Sequence, residues 1–411
     1  MNKLKVYIFT CPARGAAYGV GTYIKELRSL LDAAHTEYGL VRMYEEKPAI
    51  TSNMEDGCET IHIPRVNLMS EKDHQRYSRN VGYILRDIIK IEKDTKLIFH
   101  LNFMTDPDLV SALKKSFPKY RVVLVCHYTN WSFSLMGDEK KFLSIMKKSS
   151  RKRNPMEKQI VSDFRKDLRM IQKVDRFVCV AEHSLRTFKA AGHIDETKCV
   201  VINNALKDEY DGEASKADIK EKYRIRPDEK VILFVGRLDP VKGIFTLLKS
   251  FEQVLDKHPE AHLFVVGEGN FNPCLNCASH SWARISFTGL LSKEKVYDFY
   301  RIADVGVVPS VHEEFGLVAI EMMMHQIPIV VSDVGGLAEI IDDNENGLKV
   351  PVTEADGKRE IRAEAFSEKI CSLLDDPAHA QALAQNAREK FLDRYERKLF
   401  GQRMQDLYEN V

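Results

Sequence analysis

The sequence predicts an α/β protein with two doubly wound parallel sheets. Short apolar runs of strand length alternate along the chain with amphipathic helical patterns, which is typical of parallel sheets covered by helices. The chain has 411 residues, of which 44% are hydrophobic, so it can bury two sizeable cores. Residues 206–228 are polar and lack a strand pattern. The sequence therefore predicts two domains joined by a hinge.

The charge balance and the apolar pattern exclude several classes of protein. Sixty-one basic residues oppose 60 acidic ones, so no global positive field indicates nucleic-acid binding. No apolar run approaches the roughly 18 residues of a membrane span, and the first one is too short for a signal peptide. Eight cysteines are scattered, with Cys126 and Cys179 inside strand patterns, as is typical of reduced thiols. We therefore expect a cytoplasmic protein.

The first domain begins with a predicted strand at 5–10 and a loop that leads into a helix. Gly19 and Gly21 occupy the turn before this helix, where glycine tolerates unusual backbone angles. A Gly-x-Gly after a first strand also occurs in dinucleotide-binding folds, but Ile24 stands where the third glycine would be, which argues against NAD. Further strands are predicted at 40–44, 60–63, 97–101, 122–126, 177–180 and 200–202, with a helix at 81–91.

A strongly basic segment follows the middle of the first domain. Residues 140–176 carry thirteen Lys and Arg against four Asp and Glu, and their apolar residues recur at helical spacing. This pattern predicts two amphipathic helices with a basic linker. The basic face is either simply solvated or a surface for anionic lipid head groups or an anionic acceptor. Nucleic acid is disfavoured because no aromatic residues for base stacking are interleaved with the basic cluster.

The second domain opens with a strand that begins at residue 231 and runs into a cationic loop. Arg237 and Lys242 lie in this loop, which Gly236 opens. Two cations at the end of a strand suit a diphosphate, since arginine offers a planar fork and lysine a point charge. Gly267 ends the next strand, at 262–266, and its loop would border the nucleotide. A further strand is predicted at 285–288.

The stretch GVVPSVHEEFGLVAIEMMMHQIPIVVSDVGG holds the densest chemistry. It predicts a buried strand, a loop with Glu313, a helix that starts near residue 316, and a second strand. Glu321 lies in the helix, with seven residues between the two glutamates. A helix N-terminus binds anions and carboxylates accept hydrogen bonds, so the stretch suits a diphosphate flanked by two polyols, as in a nucleotide-sugar. The N–H groups at this terminus belong to Gly316, Leu317 and Val318.

Two groups of residues have the spacing of metal ligands. Cys274, Cys277 and His280 lack an evident fourth ligand, so reduced surface cysteines are the favoured interpretation. Asp106 and Asp108 flank a proline, and a helix N-cap with proline at the first helical position explains that pair. We expect neither a metal nor a cofactor.

The motifs EEFGLVAIE, IPIVV and GGLAE, in this order, resemble the signature of the retaining nucleotide-sugar glycosyltransferases of family 4. The resemblance is strong over 231–347 and weak before residue 200. It implies a GT-B fold, with two sheets that face each other across a cleft. It also implies that 1–205 holds the acceptor, that 229–395 holds the nucleotide-sugar, and that the last helix, 396–411, packs back on the first domain. Glu314 and Ala205 stand where the family has glycine.

The resemblance also assigns roles to single residues. His127, at the end of the strand VVLVC, matches a histidine that faces the donor sugar, although a structural hydrogen bond is the commoner role of such a residue. Arg237 and Lys242 match the cations on the donor diphosphate. The loop of Gly19 and Gly21 comes close to the donor phosphate and the acceptor. The implied reaction moves a sugar to an acceptor hydroxyl with retention and without a metal, in cell-surface polysaccharide or glycoconjugate synthesis.

Two alternatives to this enzyme stay open. One is another GT-B enzyme, such as a sugar epimerase or a phosphorylase, although no motif for the pyridoxal lysine of a phosphorylase stands out. The other is a non-catalytic module that binds nucleotide-sugars or glycans. The intact charged set argues against lost chemistry, because buried charges cost free energy of desolvation and a decayed site would be free to lose them.

Overall fold

The computed structural model describes residues 3–11, 19–46, 48–66, 70–92, 94–102, 107–117, 119–212, 215–278, 280–355 and 358–411. The chain divides into two compact units, each with a hydrophobic core around its own mainly parallel sheet. The first unit comprises Met1–Leu135, Glu139–Asn204 and Lys398–Val411. The second unit comprises Met136–Asp138 and Ala205–Arg397.

The first unit alternates strands with helices. In chain order they are β1 (Lys3–Thr10), α1 (Gly19–Ala33), β2 (Glu37–Glu45), β3 (Thr51–Glu55), β4 (Cys58–Pro64), α2 (Glu71–Ile88), β5 (Thr95–Leu101), α3 (Pro107–Ser116), β6 (Tyr120–Cys126), α4 (Asn130–Ser134), α5 (Glu139–Lys147), α6 (Pro155–Lys173), β7 (Arg176–Cys179), α7 (Glu182–Ala191) and β8 (Cys199–Val201). The sheet order is β3-β4-β2-β1-β5-β6-β7-β8, and only the β3–β4 pair is antiparallel among these strands.

The central strands of this sheet are buried on both faces. Four consecutive residues of β1 have no exposed surface, and such unbroken apolar runs are typical of a parallel sheet with helices on each side. Those four residues are Val6, Tyr7, Ile8 and Phe9. The predicted alternation of strands and helices is therefore confirmed in this unit.

Strand β3 is absent from the sequence prediction. It forms a hairpin with β4 through Asp56 and Gly57, both of which have positive φ angles, 46° and 80°. Two residues with positive φ make the tight turn that best fits the twist of a hairpin. The middle residues of β3, Ser52 to Met54, are exposed. An edge strand without a buried face leaves no apolar alternation to detect.

Helix α2 starts ten residues before the predicted helix at 81–91. Ser70 caps it, because its hydroxyl accepts the backbone N–H of Asp73. The first half of the helix is polar and mostly exposed. Periodicity therefore identifies only the second half, where Val81 and Leu85 are buried.

The second unit continues the alternation. In chain order its elements are α8 (Lys216–Lys222), β9 (Lys230–Val235), α9 (Ile244–Lys257), β10 (Ala261–Val266), α10 (Phe271–Cys277), β11 (Ile285–Gly289), α11 (Lys293–Ile302), β12 (Val305–Val308), α12 (Leu317–Met324), β13 (Ile329–Ser332), α13 (Gly335–Ile340), β14 (Leu348–Val350), β15 (Val352–Ala355), β16 (Lys358–Ile361), α14 (Ala363–Asp375) and α15 (Pro377–Arg394). The last helix, α16 (Arg397–Glu409), belongs almost entirely to the first unit. The six-stranded sheet has the order β11-β10-β9-β12-β13-β14 and is parallel throughout, and β15 pairs with β16 in an antiparallel hairpin.

The last helix, α16, packs against the core of the first unit. The Tyr408 hydroxyl lies 2.7 Å from Nδ1 of His100, and both side chains are buried. The ring of Phe400 meets that of Tyr23 edge-on, with 5.5 Å between centroids. Aromatic and hydrogen-bonded contacts thus hold the end of the chain. Among the described helices none is long and apolar enough to cross a membrane.

Candidate active site

The strand order of the second sheet reverses between β9 and β12. From β9 the chain adds β10 and β11 on one side, and it then returns to place β12 and β13 on the other. At such a reversal the loops that leave the two strands diverge, and α/β sheets bind ligands in the crevice between them. The loop after β9 carries Arg237 and Lys242, and the loop after β12 carries Glu313. Three of the four predicted catalytic residues therefore lie at this edge.

Lys242 and Glu313 form an ion pair that joins the two loops. The Nζ atom of Lys242 lies 2.7 Å from Oε2 of Glu313, and the Ser310 hydroxyl donates to the same oxygen at 3.2 Å. The lysine side chain is 27% exposed and the glutamate 17%, so a ligand can reach both. An ammonium has three N–H donors. Within the described part of the chain Glu313 takes one of them, which leaves two for a ligand.

The two loops pack closely enough to require a glycine. Gly243 has a φ of 70°, and a Cβ atom there would collide with the carbonyl oxygen of Pro309. The backbone N–H of Val311 donates to the carbonyl of Val241 at 2.8 Å and fixes the approach. The short distance between Lys242 and Glu313 thus follows from backbone contacts.

Asp239 organises the cationic loop. Its Oδ2 lies 2.8 Å from Nη2 of Arg237, and its Oδ1 accepts the backbone N–H of Lys242 at 3.0 Å. One carboxylate therefore orients both cations. Asp239 is not among the residues predicted for the site, although aspartate followed by Pro240 is a recognisable start signal for a helical turn.

Helix α12 begins directly after the loop of Glu313. Gly316 caps it with a φ of 114°, and Leu317 and Val318 are its first two residues. The backbone carbonyl of Glu313 accepts the N–H of Gly336 at 3.0 Å, which ties the loop to α13. The positive end of the helix dipole and the N–H groups of the first turn therefore add to the positive charge at this edge.

Glu321 lies in the middle of α12 and has a protein partner. The Tyr300 hydroxyl donates to its Oε2 at 2.6 Å. Burial raises the pKa of Glu321, and the hydrogen bond from Tyr300 opposes that shift. The predicted contact of Glu321 with a polyol of the nucleotide-sugar is left to its second carboxylate oxygen. Tyr300 is not among the residues predicted for the site, because a tyrosine on the apolar face of a helix has the pattern of a core residue.

The predicted donor-binding glycines of the second unit follow neighbouring strands. The N–H of Gly236 donates to the carbonyl of Val266 at 2.9 Å, and that of Gly267 donates to Gly289 at 3.0 Å. Gly267 has a φ of 145°, and a Cβ atom there would collide with the carbonyl of Gly236. Packing between the loops accounts for this glycine, and its contact with the donor stays a prediction.

His127 follows β6 in the first unit and is held by two neighbours. Its Nε2 lies 3.0 Å from Oδ1 of Asn102, and the ring meets that of Tyr23 edge-on, with 4.5 Å between centroids. The amide of Asn102 donates to the carbonyl of Phe9, so the amide oxygen faces the histidine as an acceptor. Nε2 therefore carries the proton, and Nδ1 is a lone-pair acceptor. Burial lowers the pKa of His127 to about 3, so the ring is neutral.

The structure corrects the position of the two glycines in the first unit. The sequence predicts Gly19 and Gly21 in the turn before the first helix. They are instead the first and third residues of α1. The helix begins at Gly19, earlier than the apolar periodicity that starts at Val20 indicates. The loop that precedes them, 12–18, lies outside the described residues.

The candidate metal ligands have other structural roles. Helix α3 begins at the proline between Asp106 and Asp108, as predicted, with Asp108 in its first turn. Asp106 lies outside the described residues. The thiols of Cys274 and Cys277 donate to backbone carbonyls, and His280 is exposed. Both cysteines are free thiols as predicted, but Cys274 is buried in the core and not at the surface, because it lies on the face of α10 that packs on the hydrophobic core of the unit. Among the residues that the structure describes, no three His, Cys, Asp or Glu side chains have the arrangement of a metal site.

Two doubly wound parallel sheets, with a charged site at the strand reversal of the second, define the GT-B fold. A sucrose-phosphate synthase of Thermosynechococcus elongatus is similar, with a TM-score of 0.76 and 20% identity over 99% of both chains. The Anabaena protein HepE, solved in complex with UDP, has a TM-score of 0.70 and 15% identity over 100% of both chains. These likenesses show the fold.

The sequence of the second unit matches a named family. Residues 215–390 match the glycosyl transferases group 1. An uncharacterised glycosyltransferase of Methanocaldococcus jannaschii is 32% identical over 207 residues, which are 49% of this chain and 51% of that protein. The chain thus spans about half the length of this curated relative. The segment that matches the family, residues 215–390, contains Arg237, Lys242, Glu313 and Glu321. His127 lies outside it.

Proposed function

We propose that the chain is a retaining glycosyltransferase of family 4, which moves a sugar from a nucleotide-diphosphate sugar to an acceptor hydroxyl. The observation that carries the proposal is the ion pair of Lys242 and Glu313 at the strand reversal, 2.7 Å long. It places an ammonium with spare donors beside a carboxylate that only accepts. The ammonium can bind the negatively charged diphosphate, and the carboxylate can accept hydrogen bonds from sugar hydroxyls.

The remaining residues of the site complete this assignment. Arg237, together with Lys242 and the start of α12, binds the diphosphate. The second carboxylate oxygen of Glu321 accepts a hydrogen bond from a ribose hydroxyl. Glu313 accepts hydrogen bonds from sugar hydroxyls, and the resemblance to family 4 assigns the same role to the neutral ring of His127. Support for the donor comes from HepE, which has been solved with UDP, with UDP and glucose, and with UDP-glucose. The proposed products belong to cell-surface polysaccharide or glycoconjugate synthesis.

Nucleotide release separates this enzyme from a binding module of the same fold. A thermal-shift screen of nucleotide-sugars first identifies the donor, since a ligand at about 100 times its Kd stabilises the folded state by about 2.7 kcal/mol. The chain is then incubated with that donor and a panel of hydroxyl acceptors, and nucleoside diphosphate is measured. We expect acceptor-dependent release. Stabilisation without any release would identify a non-catalytic module, and conversion of the donor to an epimeric sugar would identify an epimerase.

Activity should survive EDTA. The negative charge that develops on the leaving diphosphate meets Arg237, Lys242 and the start of α12, which together supply the stabilisation that a magnesium ion supplies elsewhere. Rates are compared before and after chelation and after magnesium or manganese is returned. Activity that disappears with EDTA and returns with the metal would contradict this expectation and would bring Asp106 and Asp108 back as ligands.

The basic segment, residues 140–176, is proposed to hold the enzyme at an anionic membrane surface. Ten of its thirteen cations are exposed, while the apolar faces of α5 and α6 are buried in the core of the first unit. Adsorption is therefore electrostatic, without insertion of these helices. All eight cysteines are free thiols, which is typical of reducing compartments and supports the cytoplasmic face as the location.

Lys166→Gln with Arg169→Gln should weaken binding to anionic liposomes by roughly 30-fold, since each well-placed cation contributes about 1 kcal/mol. Both residues are exposed on α6. The matched control replaces Lys249 and Lys257, two exposed lysines of the second unit, and should bind as the unmodified chain does. Co-sedimentation at rising salt measures the effect, which salt should screen. Equal binding to neutral and anionic vesicles would contradict the proposal and would indicate that the basic face is simply solvated.

A further inference from the structure

The last helix, α16, buries one face in the first unit. The buried residues of the helix are Phe400, Met404, Leu407 and Tyr408, at the spacing of a single helical face. Two cations also fix its carboxyl end. Lys96 donates to the carbonyl of Glu409 at 2.8 Å. Arg176 donates to the carbonyl of Asn410 at 3.0 Å. The helix is therefore held along its length, and two of its buried residues begin a chain of contacts that leads to His127.

His100, in β5, joins a tyrosine hydroxyl of α16 to a tyrosine hydroxyl of α1. Its Nδ1 lies 2.7 Å from the hydroxyl of Tyr408, and its Nε2 lies 3.2 Å from the hydroxyl of Tyr23. All three residues are buried, with 2% exposure at most. Burial lowers the pKa of His100 to about 3, so its ring is neutral and has one donor and one acceptor. Both ring nitrogens are therefore used, and the loss of either hydroxyl leaves one of them unpaired.

Tyr23 connects α16 to His127. Its ring meets that of Phe400 edge-on with 5.5 Å between centroids, and it meets that of His127 edge-on with 4.5 Å between centroids. Aromatic rings prefer such edge-to-face arrangements, so a turn of one ring disturbs its neighbour. The hydroxyl of Tyr23 is held by His100. Two anchors of this tyrosine thus come from α16: Phe400 acts at the ring, and Tyr408 acts at the hydroxyl through His100.

His127 depends on the contact with Tyr23 because its hydrogen bond fixes only one ring atom. Nε2 of His127 lies 3.0 Å from Oδ1 of Asn102. One hydrogen bond sets the place of that nitrogen and leaves the plane of the ring to the packing around it. His127 is partly exposed, whereas Tyr23 and His100 are buried. A ligand can therefore reach the ring of His127 but not the residues that orient it.

We propose that Tyr408 is a positioning residue for His127 and acts on it through His100 and Tyr23. The proposal rests on the proposed function, in which the ring of His127 accepts a hydrogen bond from a sugar hydroxyl. It adds that the last helix of the chain sets the direction of this acceptor. Turnover depends steeply on such placement, because a misplacement of about 1 Å can cost about 10²-fold in rate. Tyr408 itself touches no substrate.

Tyr408→Phe tests the proposal, because it keeps the ring and removes only the hydroxyl that holds His100. The matched control is Tyr77→Phe. The Tyr77 side chain belongs to the same unit and is also buried, and its hydroxyl donates to the carbonyl of Pro64 at 3.1 Å. Each variant therefore loses one hydrogen bond of a buried tyrosine, so a general loss of stability affects both. Phe400→Leu, which removes the other anchor of Tyr23, takes the place of Tyr408→Phe if that variant does not fold.

NMR of the full chain labelled with ¹⁵N-histidine gives the first readout and needs no nucleotide-sugar. The spectrum of His127→Gln identifies the ring signals of His127 by their absence. These signals should shift or broaden in Tyr408→Phe, because the ring is no longer held in one orientation, and should stay unchanged in Tyr77→Phe. A hydroxyl that served only the stability of the core would leave them unchanged in both variants. Unchanged signals in Tyr408→Phe would overturn the proposal, whether or not the chain is an enzyme.

Acceptor-dependent nucleotide release gives the second readout. We expect kcat to fall about tenfold in Tyr408→Phe while KM for the donor changes little, because the placement of His127 affects the reacting sugar more than donor binding. Tyr77→Phe should keep the kcat of the unmodified enzyme. Equal kcat in the two variants would contradict the proposal. If the unmodified chain releases no nucleotide, the proposed function fails, and the NMR response alone then decides whether α16 orients the ring of His127.

Discussion

Replacing Lys242 with alanine should lower kcat by about 10²–10³-fold, the effect measured when an enzyme loses one donor to a developing negative charge. The bond that breaks in the donor leaves its electrons on the diphosphate, so the ammonium stabilises the transition state more than the ground state. Arg237→Ala should have a similar effect, because its guanidinium is proposed to bind the same diphosphate. KM should change less than kcat in both variants.

The comparison needs controls because Lys242 also neutralises Glu313. Lys249→Ala removes an exposed lysine from the same unit and should leave turnover unchanged. A double-mutant cycle of Lys242→Ala with Glu313→Gln separates the loss of the diphosphate contact from the loss of the ion pair. Rates of nucleotide release give each value. If the alanine variants turn over at the rate of the unmodified enzyme, the assignment of Arg237 and Lys242 to the diphosphate is wrong.

The sequence predicts the sheets of this protein well because their strands are buried on both faces. Continuous apolar runs such as 231–235 and 305–308 can be recognised without any neighbour, and the loops after them locate Arg237, Lys242 and Glu313. The prediction fails where a strand or a helix half is exposed, as in β3 and the start of α2. Exposed elements are specified by turns and caps, which leave only short local signals.

Pairings between distant residues are the part of the site that the sequence could not supply. Lys242 and Glu313 are 71 positions apart, and a sheet order that reverses between β9 and β12 brings them together. Tyr300 with Glu321 and Asn102 with His127 are likewise contacts between separate elements. No periodicity encodes them, because periodicity reports which face of an element is buried and not what lies opposite.

Glu313→Gln should slow turnover by about 10²-fold and leave the stereochemistry of the product unchanged. Hydrogen bonds to charged groups contribute about 1.5–3 kcal/mol. The neutral amide of glutamine would weaken the hydrogen bonds to the sugar hydroxyls and would remove the ion pair with Lys242. Glu345→Gln, an exposed glutamate of the same unit, is the matched control and should retain the rate of the unmodified enzyme. Initial rates at saturating donor measure the effect.

We expect retention because neither residue assigned to the sugar, Glu313 or His127, is a suitable base. An inverting enzyme needs a base that deprotonates the acceptor on the face opposite the leaving group. Oε2 of Glu313 already accepts hydrogen bonds from the ammonium of Lys242 and the hydroxyl of Ser310. His127 is a poor proton acceptor, because its pKa is about 3. The leaving diphosphate can instead take the acceptor proton on its own face, through a short-lived oxocarbenium-like state.

Proton–proton coupling constants of the first-formed product, from the unmodified enzyme and from Glu313→Gln, decide between retention and inversion. We expect the anomeric configuration of the donor in both. An inverted linkage would mean that a base acts in this site other than the residues assigned to the sugar.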